Sequence, residues 1–145
     1  MNKNRFGFTL LEVLVVLGIL SVFLLSAVTV SIVSVRNLKS SEFKILATRY
    51  GEGLVEWLRG EKDVNWNTFI TKVGVWCFNQ EPITQWPQSG ACGPEDQNIN
   101  KLFKREVLVD YNNALNRTVV KITVSWDEGN RTVSIPITTI LEKYN

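Results

Sequence analysis

Apolar and polar positions divide the chain into three stretches. From Phe8 to Val35 nearly every position is apolar, and Glu12 is the only charged side chain. At about 1.5 Å per residue this run makes a helix of roughly 42 Å, longer than the ~30 Å hydrocarbon core of a bilayer. Beyond Arg36 the pattern changes. Phe43, Leu46, Ala47, Tyr50, Leu54, Trp57 and Leu58 recur at three- and four-residue steps. That spacing predicts an amphipathic helix to about Arg59, stopped by Gly60 and weakened or kinked at Gly51 and Gly53. The stripe is read as a face packed on the protein's own sheet.

The third stretch carries the strands. Asp63 to Lys72 reads as a polar linker leading into one short helical turn, and Val73 to Phe78 as a short strand. Asn79 to Asn100 is rich in Pro, Gly, Gln and Asn, which predicts a long loop. Leu102 to Tyr111 places Phe103, Arg105, Val107, Val109 and Tyr111 on one side, and Lys104, Glu106 and Asp110 on the other. Arg117 to Trp126 aligns Val120, Ile122, Val124 and Trp126. Asp-Glu-Gly-Asn, 127–130, turns the chain, and Arg131 to Ile140 alternates again, with Pro136 marking an edge strand. The expected class is α+β. A long N-terminal helix, with a transmembrane half and an amphipathic half, packs on a three- or four-stranded antiparallel sheet.

Composition narrows the chemistry. At 145 residues there is room for one small domain beyond the apolar run. A net charge of +2 does not point to nucleic acid, and the basic patch of Lys101, Lys104 and Arg105 is broken by Glu106 and Asp110. Without histidine, the Ser-His-Asp and Cys-His arrangements cannot be built, and two cysteines are too few for a Cys-rich zinc site. No cofactor, metal site or catalytic residue is expected. Asp96, Asn98 and Asn100 imitate the start of a calcium loop, but the glycine and terminal glutamate are missing at the required spacing. Asn116-Arg117-Thr118 and Asn130-Arg131-Thr132 match a glycosylation sequon and are read as turns; the five tryptophans are assigned to packing. Cys77 and Cys92 would close a loop of about 15 residues, worth about 3 kcal/mol by chain entropy, the alternative being two free thiols.

Glu12 is the residue that needs an account. A secretory signal has a shorter apolar run and a small-residue cleavage site, neither of which is present here. A plain single-span anchor has the right length but no use for the carboxylate, which costs about 2.5–3.5 kcal/mol at a bilayer centre and less near its edge. Cleavage between Gly7 and Phe8 supplies a use. The new α-amino group is cationic, and Glu12 lies four residues along the helix, about 6 Å up its axis. A carboxylate there faces the positive end of the helix dipole and pairs with an amine of its own or a neighbouring chain.

The leader MNKNRFG, with Lys3 and Arg5, followed by F-T-L-L-E-V-L-V-V-L-G-I-L, resembles the class III signal of type IV pilins and type II secretion pseudopilins. The resemblance implies cleavage after Gly7 by a prepilin peptidase, N-methylation of Phe8, and docking of Glu12 onto the Phe8 amine of a neighbouring subunit. It also implies a pilin-like fold and a divided chain: leader 1–7, transmembrane and filament-core helix 8–35, amphipathic continuation 36–60, and head 61–145. The partners it implies are other pilin or pseudopilin subunits, the peptidase/methyltransferase, and membrane lipid before assembly. The chain would sit in the cytoplasmic (inner) membrane with its head outside, then in the filament. Major pilins commonly carry a glycine and then a proline further along the helix. Ser21 and Thr29 stand at those places, with Gly18 nearby, which tilts the reading towards a minor subunit. The alternative is a permanently anchored surface binding module.

Overall fold

The computed structural model describes residues 9–93 and 99–143. The chain separates into two compact units, Met1–Glu42 and Phe43–Asn145. Helix α1, Leu10–Val64, contributes to both. In the first unit its described side chains are exposed all round, apart from partly covered Ser40, as a helix apolar on every side must be when nothing covers it. In the second unit it turns one stripe inward: Ala47, Gly51, Leu54, Val55, Leu58 and Lys62 are buried.

The helix outruns its expected end. It passes through Gly60 and stops at Val64. Lys62 continues the Leu54–Leu58 row at the same four-residue step and is itself buried, its aliphatic stem extending the apolar stripe. A lysine in the last turn also complements the helix C-terminus. Gly51 does not interrupt the helix. It lies where a Cβ would collide with the side chain of Ile137, so the residue permits close approach of helix and sheet. A short helix α2, Trp66–Phe69, follows, capped by Asn65, whose Oδ1 accepts from the Thr68 N–H at 3.0 Å.

Four strands form one antiparallel sheet in chain order: β1 Gly74–Cys77, β2 Lys104–Asn112, β3 Arg117–Glu128 and β4 Arg131–Glu142. The α+β, pilin-like architecture is as the sequence predicts, with the sheet at four strands. Alternation has its expected consequence: Arg105, Val107 and Val109 of β2 and Val120, Ile122, Val124 and Trp126 of β3 all point into the core, with Ala47, Leu54 and Leu58 of α1 among them. Gly129, at φ 64°, takes the first corner of the two-residue β3–β4 turn, a conformation that suits glycine. Both sequons begin at turn positions, Asn116 with φ 45° and Asn130 beside Gly129. Pro136 lies in β4, at the edge of the sheet, opposite Thr123.

A second layer of the core is aromatic. Trp86, from the loop after β1, meets Trp57, Phe69, Trp76 and Phe78 with ring centroids 5.1–6.1 Å apart. The tryptophans of this group therefore pack, and the indole N–H groups of Trp76 and Trp86 are spent internally. Trp86 donates to Glu61 at 2.9 Å and Trp76 to the Lys72 carbonyl at 3.1 Å.

Candidate assembly site and the loop clamp

The N-terminal site is built from a helix end. Thr9 precedes the first helical residue, and its Oγ1 accepts from the backbone N–H of Glu12 at 3.3 Å. Thr-Leu-Leu-Glu is thus the first half of a capping box, which places the carboxylate at the third helical position and in the positive field of the helix N-terminus. The sequence reading pairs Glu12 with an amine of its own or a neighbouring chain at the positive helix end, and the cap from Thr9, a threonine three residues before a glutamate, is the local contact it lacks. Glu12 is exposed. Gly7 and Phe8, the expected cleavage and methylation positions, lie outside the described residues.

Past Glu12 no charge occurs until Arg36. The intervening helix is long and apolar enough to cross a membrane, and its most apolar stretch is not buried within the chain. Four of its hydroxyl side chains are turned inward on their own backbone. Ser21, Ser26, Thr29 and Ser31 donate to the carbonyls of Leu17, Val22, Leu25 and Ala27 at 2.7–2.9 Å. The β-branched, serine-rich stretch from Ala27 to Val35 is helical throughout.

The second constellation lies around the cysteines. The sulfur atoms of Cys77 and Cys92 are 2.14 Å apart, with Cα atoms at 4.9 Å, bonding geometry for a disulfide. Glu106 faces Cys77 across the β1–β2 ladder, and its Oε2 accepts from the Cys92 N–H at 3.1 Å, holding the second cysteine over the first. Next to it, Arg105 corrects the sequence reading of a surface basic patch. It is fully buried, as its inward strand position demands, and cannot be part of a surface. Nε donates to the Phe78 carbonyl at 2.9 Å, Nη1 to the Tyr50 carbonyl and Glu81 Oε1 at 2.8 Å each, and Nη2 to the Gln80 carbonyl at 3.1 Å. Burial pushes the Arg105 pKa below its ordinary value, while the nearby Glu81 carboxylate acts the other way by charge and hydrogen bond.

Among the described residues no three His, Cys, Asp or Glu side chains gather as metal ligands. Asp96 and Asn98 of the calcium-like run lie outside the described residues, and Asn100 donates to the Tyr50 hydroxyl. An open polar groove of about 810 Å³ beside the cysteine loop is lined largely by amide, proline and small side chains, including Asn79, Gln80, Gln88 and Ser89.

Comparison with known proteins accords with the N-terminal geometry. Residues 2–28 match the prokaryotic N-terminal methylation motif. No curated protein and no solved structure matches the chain. The matched segment covers the leader, Glu12 and the first part of the charge-free helix, and a disulfide-distance cysteine pair accompanies it in the head. The chain carries a prepilin-type N-terminal methylation motif, typical of type IV pilins and pseudopilins, on a pilin-like α+β fold.

Proposed function

We propose that the chain is a structural subunit, and a minor one, of a type IV pilus or related pseudopilus. Prepilin peptidase cuts between Gly7 and Phe8, and the new amine of Phe8 is methylated. Before assembly residues 8–35 span the cytoplasmic (inner) membrane with the head outside; afterwards the same segments of many subunits cover one another in the filament core. Glu12 pairs with the Phe8 amine of a neighbouring subunit. In apolar surroundings an unpaired carboxylate is costly, so the pair favours one axial register over its neighbours. Removing the leader takes away Lys3 and Arg5 and lowers the net charge from +2 to zero, which eases close packing of heads.

One observation carries this reading. The methylation motif at residues 2–28 takes in the start of α1, where the apolar side chains from Leu10 to Leu38 are exposed on every side. An apolar surface of that extent requires lipid or other helices around it.

The test is an intact mass under non-reducing conditions, on protein from cells with and without prepilin peptidase. A chain that begins at Phe8 only when the peptidase is present, one methyl heavier and two hydrogens lighter than its sequence, supports processing and the disulfide together. A chain that begins at Met1 beside an active peptidase overturns the reading. Glu12→Ala then separates the two later steps: it is cut normally and is absent from purified filaments.

A further inference from the structure

The loop from Phe78 to Ala91 is fastened in more than one way. At its ends is the Cys77–Cys92 pair. At its beginning, the single guanidinium of Arg105 binds Phe78, Gln80 and Glu81, while the Arg105 backbone N–H donates to Asn79 Oδ1 at 2.9 Å. The same guanidinium also binds the Tyr50 carbonyl in α1, which ties the loop to the helix across the core. Further along, Trp86 fills the aromatic layer, and the Gly90 N–H donates to the Val75 carbonyl at 2.8 Å.

We propose that this loop is a strap latched by Arg105 and Trp86, with the disulfide as a second fastener that is not needed to hold it down. The reasoning rests on where each fastener acts. A disulfide mainly restricts the unfolded chain, whereas the charged hydrogen bonds of Arg105 exist only in the docked loop. Arg105 is fully buried, so undocking the strap would strip a cation of its Phe78, Gln80 and Glu81 acceptors and leave it only the Tyr50 carbonyl. That cost is the same whether the sulfurs are joined or separate. Reduction therefore leaves the strap docked, and it opens only when the arginine latch is also removed. Docking of the strap, together with the Glu106 carboxylate on the Cys92 N–H, keeps the two sulfurs side by side in the reduced chain.

Hydrogen exchange read by mass spectrometry on the full chain in detergent micelles tests this, with peptides covering 79–91 and, as an internal control of the fold, the centre of β3. The expected result is that strap amides, the Gly90 amide above all, exchange within about threefold of the oxidised rate after reduction or in a Cys77→Ser/Cys92→Ser variant. Arg105→Met in the cysteine-free background speeds strap exchange by roughly a hundredfold while β3 stays protected. Should Arg105→Met cost the whole fold, Glu81→Gln keeps the arginine and removes only its charge partner, and roughly tenfold faster strap exchange is expected in the reduced chain. Free exchange of the strap on reduction alone, with Arg105 in place, overturns the proposal. So does a strap that stays protected in reduced Glu81→Gln or in folded, cysteine-free Arg105→Met.

Discussion

The first and second halves of α1 lie in one unbroken helix and teach opposite lessons about how a sequence uses one. Before Glu42 no described side chain is buried, and hydroxyl groups bond to the turn behind them. After Phe43 the helix spends one face on a sheet, tolerates a glycine where the sheet comes closest, and buries a lysine stem to lengthen the contact. Backbone geometry is common to both. The difference lies in the partner: one half is completed by its own chain, and the other exposes a surface that only other molecules can complete.

Mutations should separate the halves sharply. The largest effect is expected for Trp126→Ala, which removes a fully packed ring lying 5.7 Å from Phe103 and lowers head stability by about 3–5 kcal/mol in denaturant unfolding followed in micelles. Phe23→Ala, of similar chemistry but exposed, should leave that transition within about 0.5 kcal/mol. Equal losses would mean that the apolar segment also supports the head.

Glycines sharpen the comparison within the second half. Gly51→Ala forces Ile137 to move and should cost about 1–3 kcal/mol. Gly60→Ala, where a Cβ meets only open space, should stabilise by about 0.5–1 kcal/mol through helix propensity. Thermal melts of both variants decide it, and a shared sign would place the helix differently against β4.

The strands were the most legible part of the sequence, because alternation over β2 and β3 fixes which side chains face inward. The helix end was not. Glycine at position 60 is a stop signal only when nothing beyond it continues the buried stripe, and a lysine at position 62 conceals that continuation under a charged label. Arg105 shows the same weakness in a sharper form. Its alternation phase put it inside, yet its residue type invited a surface role, and the acceptors that reconcile the two come from a loop without periodicity. Thr9 and Glu12 were legible as a capping pair from their three-residue spacing, a local contact that the helix-dipole and amine account of Glu12 does not include.

The smallest expected effect concerns Thr118, which is fully buried between Tyr111 and Leu141 in the sheet register while its Oγ1 has no hydrogen-bond partner among the described residues. Thr118→Val keeps the shape and removes the unsatisfied hydroxyl, so a gain of about 0.5 kcal/mol is expected in the same unfolding experiment. A loss would show that the hydroxyl is serving a partner in solution.

The inward-turned hydroxyls of the first half have a kinetic meaning. Ser21, Ser26, Thr29 and Ser31 already donate to their own helix, so the surroundings need not satisfy those donors. A segment of this kind can pass from lipid to a bundle of like helices, and back, without exchanging those hydrogen bonds on the way. In the proposed assembly, Glu12 at one end of the span is then the charged group that joining or leaving must satisfy, and reversibility would rest on that carboxylate, separable from the hydrophobicity that drives assembly.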